Sequence, residues 1–354
     1  MLLPTSLMPA IVLLVVGIAI ILFGAELFTN GVEWAGRKLK LGEGAVGSIL
    51  AAVGTALPET LLPIVAIIGG ALTGDAATME SSHEIGIGAI LGAPFMLSTA
   101  ALFVTGVAVF AFAASGRRTT DIRLNTVVVE RDLRFFLVVF AMAVASSFIP
   151  FQLAKYAVAL VLVALYAYYV RRTLSEVSEV AHESDLARLR FHRSVADPAL
   201  SRVWLQIGAA LALIVIGAQV FVQSMSTVAN ALRVPPLVLS LILAPLATEL
   251  PEKFNSVVWI RAKKDTLAMG NITGAMVFQS CIPVAVGLVL TTWELDTLGL
   301  ISAGLALLAG GLVWACLRLT GRLPAQVLVL CGVLYLVFLG YVASGAAVLS
   351  PVRH

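Results

Sequence analysis

The sequence predicts an all-α polytopic membrane protein of ten transmembrane helices, arranged as two inverted five-helix repeats with helices broken at the midplane. Composition comes first: 60% of the 354 residues are hydrophobic, 12% are charged, and the mean hydropathy is +1.01. That is more apolar surface than a soluble core can hide. The second observation is length, since a helix needs about 20 apolar residues to cross the hydrocarbon layer, and ten segments meet or approach this. The third is duplication: Gly24-Ala25-Glu26-Leu27-Phe28 returns as Gly217-Ala218-Gln219-Val220-Phe221, and Leu57-Pro58-Glu59 returns as Leu250-Pro251-Glu252, both 193 positions later.

The first segment, Met8–Phe28, has no basic stretch before it, and its glycine motif has a partner in the second half. It is therefore a retained helix and not a secretory leader. Ala45–Ala71 follows and carries Pro58 and Glu59 within apolar sequence. A charged residue there costs about 2.5–3.5 kcal/mol on insertion scales and by default marks a transport or relay site. Ile85–Ala114 places Gly86, Gly88 and Gly92 at close-approach spacing, a helix-packing surface before it is a phosphate loop. Phe135–Leu153 and Tyr156–Val170 are the shortest of the first five.

Thr173–Arg202 is the long polar segment, with alternating charge, and reads as a linker between repeats. Its His182, Glu183, Asp185 and His192 lack a recognised metal spacing and read as solvated residues. The domain organisation is thus residues 1–172, a first repeat of five helices; 173–202, a cytoplasmic linker; and 203–354, a second repeat of five.

In the second repeat, Trp204–Val228 carries the returning glycine motif. Leu237–Ile260 carries Glu249, Pro251, Glu252 and Lys253, and Asn271–Leu290 carries Gln279. Leu298–Leu317 and Ala325–Val348 complete the set. Cys281, Cys316 and Cys331 fall in or beside these helices with no zinc or disulfide spacing, and read as packing residues.

Five crossings per repeat make the second copy enter from the opposite side. Proline removes a backbone donor and frees carbonyls, so Pro58 and Pro251 would break their helices beside Glu59 and Glu252. Such breaks near the midplane of inverted repeats are where many secondary transporters hold ions. Orientation follows the distribution of basic residues. With both termini outside, the outward loops hold only Lys155, Arg233 and Arg353, while groups such as Arg37, Lys38 and Lys40, or Arg117 to Arg134, face the cytoplasm. The expected location is the cell membrane.

At these motifs, and over nearly its whole length, the chain resembles the cation/calcium exchanger (sodium/calcium exchanger) superfamily. The signature of that family is similar to Gly54-Thr55-Ala56-Leu57-Pro58-Glu59 in the first repeat and Ala247-Thr248-Glu249-Leu250-Pro251-Glu252 in the second. The helix that follows is matched by Gly270-Asn271-Ile272-Thr273-Gly274-Ala275, and in degraded form by Gly88-Ala89-Ile90-Leu91-Gly92-Ala93. The resemblance implies a secondary active antiporter that exchanges calcium or a related cation for protons or sodium by alternating access. It also implies that Glu59 and Glu252 bind the cation between the repeats, with Thr55 and Thr248 adding oxygens.

Paired carboxylates with hydroxyls and carbonyls suit calcium, which takes six to eight oxygen ligands. Ala56, Ala93 and Ala275, however, stand where hydroxyls are usual, and Leu97 and Gln279 stand where Asn or Asp is usual. Sodium sites rely on those hydroxyls, whereas a proton needs only a carboxylate, so the losses point toward proton coupling. Gln279 is either a ligand or a cross-link between helices. Glu249 and Lys253 are spaced to pair on one helix face if the helix continues through Pro251; otherwise Lys253 reaches Glu252 or Glu59 as a built-in cation. Glu26, aligned with Gln219, and Asn271 are possible modulators.

The first repeat has 11 extra residues between its glutamate and the following glycine, expected in an outward loop with Asp75, Glu80, His83 and Glu84. An enzyme is not expected, because no His falls in a proposed span and no Asp pair is placed for proteolysis. The absence of a nucleotide motif argues against an ATP-driven pump. No cofactor is expected beyond the transported calcium, sodium or proton. The expected partners are small inorganic cations and the lipid bilayer, with neither nucleic acid nor nucleotide. Alternatives are a monovalent cation/proton antiporter of the same fold and a cation channel, which can also use paired glutamates.

Overall fold

The computed structural model describes residues 7–39, 51–176, 187–232 and 234–344, except the side chains at 51–58, 174–176, 247, 250–252, 254 and 255. Thr55 and Glu252 therefore lie outside the described side chains, and His182, Glu183 and Asp185 lie outside the described residues.

The described residues are all-helical. In chain order they form α1 (Leu7–Lys38), α2 (Ala51–Thr73), α3 (Ala76–Met96), a π-helical turn (Leu97–Ala101), α4 (Leu102–Ala114), α5 (Thr126–Ala145) and α6 (Gln152–Glu176). After the linker come α7 (Leu200–Leu232), α8 (Pro236–Thr248), α9 (Leu250–Arg261), α10 (Asp265–Leu290), α11 (Thr297–Thr320) and α12 (Ala325–Ala343). Among the described residues, seven helical stretches are long and apolar enough to cross a membrane: α1, the continuous run Ala76–Ala114, Gln152–Thr173, α7, α10, α11 and α12. Outward-facing Met8, Val12, Leu160, Leu308 and Leu336 are exposed, as lipid contact requires.

Several expected boundaries shift. α1 continues ten residues beyond Phe28, so Arg37 and Lys38 form its last turn, where cations complement the helix dipole. The fourth segment starts at Thr126 instead of Phe135, because the Asn125 side chain caps the N–H groups of Val127 and Val128. Arg131 and Arg134, expected in a loop, are consequently helical, and Arg131 is buried.

The extra residues of the first repeat do not form the expected loop. Only Gly74 and Asp75 separate α2 from α3, and Glu80, His83 and Glu84 are turns of α3 itself. Gly74 takes a left-handed φ of 70°, which favours glycine. Asp75 then caps α3, and the Thr78 hydroxyl followed by the Thr78 backbone N–H holds its carboxyl below the usual carboxylate range. The turn can be this tight because both helices lengthen into the space.

The two copies of the Leu-Pro-Glu motif differ. In the second repeat the helix breaks at Glu249, whose backbone (φ −95°, ψ 8°) leaves α8 and starts α9. In the first, α2 runs unbroken through Pro58, against expectation. One proline removes a single ladder bond and can be carried as a kink. Both copies carry a second proline, Pro63 after the motif in α2 and Pro245 four residues before Glu249 in α8, so the copies differ in where that proline lies and not in how many there are.

The helices pair across the halves in a matching pattern. α1 lies along α7 as the most extensive contact, and α3 lies along α8. α10 packs on α5 and α6, while α12 packs on α4. The largest buried core joins α3 to α6 with α10 to α12, and a second one ties α1 and α7 to α2, α3 and α8.

Candidate functional site

The repeated glycine motif is a packing device. A Cβ on Gly24 would sit 2.8 Å from the Ile214 side chain, and one on Gly217 would sit 2.9 Å from Ile21. Small residues let the two helices approach closely at this crossing. Glu26, named above as a possible modulator, faces outward, more than half exposed, and pairs with Arg190 of the linker. Gln219 is also exposed.

That linker segment is docked, not loose. Asn30 and Trp34 donate to the Ala187 carbonyl at 3.2 and 2.9 Å, and Gln206 donates to Leu27 O and Asn30 Oδ1 at 2.9 and 3.0 Å. A cavity of about 210 Å³ lies beside it, lined by Phe23, Glu26, Leu27, Arg190, Phe191 and Arg193. Nothing in the sequence pattern marks Asn30 and Gln206 as partners, since 176 residues separate them.

The Leu-Pro-Glu motif of the first repeat places a carboxylate in the buried interior. Glu59 on α2 is buried, at 6% exposure, and accepts a hydrogen bond from Gln279 Nε2 on α10. Gln279 is fully buried, and its Oε1 has no hydrogen-bond partner among the described residues, as does the hydroxyl of the adjacent, equally buried Ser280. Of the two readings for Gln279, the cross-link between helices is present, and an acceptor remains on the same amide.

On the other side, Glu249 and Lys253 are both buried and their charged atoms stand 3.3 Å apart. The pair forms although the helix does not continue: Glu249 sits at the N-cap of α9, and Lys253 N donates to Glu249 O at 3.2 Å, the first turn of the new helix. Lys253 Nζ also approaches Met96 Sδ at 2.9 Å and Pro245 O at 3.5 Å. Thr248 donates back to Ala244 O at 3.2 Å, which leaves its oxygen lone pairs available.

Met96 directly precedes the π-helical turn, where Ser98 and Thr99 both donate to Phe95 O. Pro94 cannot supply a ladder donor there, and such single-turn widenings occur frequently at functional sites. Sequence reasoning missed Met96, Ser98 and Thr99, and only the Pro94 signal could have pointed to them.

A second polar cluster also escaped the sequence. Asp132 accepts from Arg131 at 3.1 and 2.9 Å, from Tyr169 at 3.0 Å and from Thr273 at 2.9 Å, joining α5, α6 and α10. Thr273 is thereby engaged away from Glu59, while Asn271 is half-buried on the same helix. At the start of α10, Arg118 clasps Asp265 with two bonds of 2.8 Å, both groups 3% exposed.

The sequence model for the sodium/calcium exchanger protein family matches residues 9–174 and 202–344. Inner membrane protein YrbG of Escherichia coli K12 is 22% identical over 291 residues, covering 82% of each chain. Putative antiporter CaxA of Alkalimonas amylolytica is 23% identical over 342 residues, covering 93% of this chain and 98% of its own. Among solved structures, an H+/Ca2+ exchanger CAX is similar in fold with a TM-score of 0.70 at 16% identity, covering 94% of this chain and 82% of its own. A sodium-calcium exchanger, NCX_Mj, gives a TM-score of 0.57 at 17% identity, covering 94% and 99%. With the family match running through both halves, this chain belongs to the sodium/calcium exchanger protein family, a family of membrane transporters and not of enzymes.

Proposed function

We propose that this protein is a secondary active cation antiporter of the cell membrane that exchanges calcium or a related cation for protons or sodium by alternating access. The observation that carries this reading is the buried Glu59 carboxylate, bonded to Gln279 of the opposite half of the chain. An ion held there is held by both halves, so their relative movement changes the side from which it is reached. Glu252, the repeat counterpart of Glu59, supplies the second carboxylate, with oxygens from Thr55 and Thr248.

The proposal includes ten crossings in two inverted repeats, residues 1–172 and 203–354, joined by the cytoplasmic linker 173–202, with both termini outside. Supporting it are the matched helix pairings across the halves and the gap in the family match at the linker. Proton coupling is favoured over sodium by Ala56, Ala93 and Ala275 at the hydroxyl positions. Monovalent cation/proton exchange is the second reading, favoured by the buried ammonium of Lys253 near the centre.

The test is uptake of calcium, and separately of sodium, into proteoliposomes under an imposed pH gradient or an imposed gradient of the other cation, with Glu252→Gln as control. Gradient-driven, saturable uptake lost in the control is the expected result. Flux that needs no counter-ion would identify a channel instead.

A further inference from the structure

Repeat symmetry exposes an asymmetry at the centre. Glu249 and Lys253 stand where the first repeat has Ala56 and Thr60, each 193 positions earlier. The second repeat alone thus adds one negative and one positive side chain, both buried, which leaves the net charge of the region unchanged. Among the described residues the Leu-Pro-Glu motif breaks its helix in the second repeat and not in the first, so α8 ends at Thr248, beside the buried Glu249 and Lys253.

A helix C-terminus carries roughly half a negative charge, and half-helix ends with unwound carbonyls are where secondary transporters place coupling cations. Lys253 Nζ fills that place. It lies 3.5 Å from Pro245 O in the last turn of α8, 3.3 Å from the Glu249 carboxylate at the break and 2.9 Å from Met96 Sδ across on α3. Met96 neighbours Leu97, which occupies the motif position that Gln279 holds in the other half, where Gln279 bonds Glu59. The two arrangements are near counterparts: a carboxylate facing an amide on one side, and a tethered ammonium facing a thioether on the other.

Resting on the antiporter reading, we infer that Lys253 is a built-in cation, its ammonium occupying the position at the α8 break and leaving the Glu59 side as the half-site open to transported ions. The protein then loads one cation fewer than two open half-sites would take. Glu249 holds the ammonium in place, and removal of the ammonium creates a site for a free cation, because a buried carboxylate and a helix end then need a positive partner.

The experiment is isothermal titration of the purified full-length protein with NaCl and with CaCl2, alongside melting curves in each salt, for wild type, Lys253→Met and the double variant Glu249→Gln/Lys253→Met. The expected result is one equivalent bound by wild type and two by Lys253→Met, with the melting temperature of that variant alone rising steeply on adding cation. The double variant, which removes both members of the Glu249–Lys253 pair, folds without cation and binds as wild type does. The inference is overturned if Lys253→Met binds the same number of equivalents as wild type, or if it fails to fold in every salt while the double variant folds. Absence of binding by wild type would count against the Glu59 site instead, and the gain in Lys253→Met over wild type would still read the inference.

Discussion

Gln279 donates to the carboxylate of Glu59 across the contact between α10 and α2, a buried bond joining residues 220 apart in the chain. An amide occupies a position where the family resemblance leads one to expect Asn or Asp. Gln279→Glu adds a carboxylate of nearly equal shape, and a further charged oxygen ligand favours a divalent ion. Preference for calcium over sodium is expected to rise about tenfold, equivalent to roughly 1.4 kcal/mol. Competition between the two cations in proteoliposome uptake measures it, and unchanged preference would remove Gln279 from the site.

Glu59→Gln keeps the size and hydrogen-bonding capacity of the side chain but not the charge. Exchange is expected to fall to background, with the melting temperature in detergent close to that of wild type. Wild-type flux in this variant would displace the site from Glu59.

Glycine is required on one crossing and dispensable on the other. A Cβ at Gly92 would run into the Leu241 carbonyl and approach the Pro245 ring at 2.7 Å, whereas one at Gly274 meets only the Tyr169 hydroxyl at 3.6 Å and one at Gly270 meets nothing within 4 Å. Gly92→Ala should therefore destabilise by about 1–3 kcal/mol, the usual cost of forcing atoms into a packed core. Gly270→Ala should be neutral or slightly stabilising through helix propensity. Paired melting curves test this, and equal effects would contradict the close α3–α8 crossing.

Asp132 is the acceptor for three side chains on three helices. Asp132→Ala leaves Arg131 buried without that carboxylate, and removing one partner of a buried pair costs about 3–5 kcal/mol. Tyr169→Phe removes one neutral donor and should cost about 0.5–1.5 kcal/mol. If Asp132→Ala melts no lower than Tyr169→Phe, the cluster is not holding the helices together.

Arg118 and Asp265 fix the turn into α10 through two parallel bonds, and Arg118 also donates to Ile260 O at 2.9 Å. Lysine keeps the charge but cannot form the planar fork. Arg118→Lys is expected to expose the 262–265 turn to limited proteolysis more than wild type. Equal cleavage rates would show the fork to be dispensable.

Glu59 was legible because an isolated carboxylate in apolar sequence, repeated beside a proline, has few inexpensive explanations. Glu249 with Lys253 was legible as a spacing, but the pair forms by a route the spacing did not specify, with Glu249 capping a new helix. Pro58 and Pro251 look alike in sequence, yet among the described residues only the second accompanies a break; their companion prolines lie on opposite sides of the motif, Pro63 after it and Pro245 before it. Asp132 was invisible: it stands in a charged stretch that reads as loop, and its partners Tyr169 and Thr273 lie 37 and 141 residues away.

By itself the sequence determined an all-helical membrane protein with an internal duplication and a carboxylate within an apolar helix, since hydropathy, periodicity and repetition are local properties that survive without coordinates. Tertiary structure decided which polar groups meet: Gln279 with Glu59, Lys253 with Met96, Asp132 with its three donors. In an apolar interior a buried polar side chain must find a partner wherever the packing brings one within reach, and that choice depends on how helices cross, which no single helix encodes.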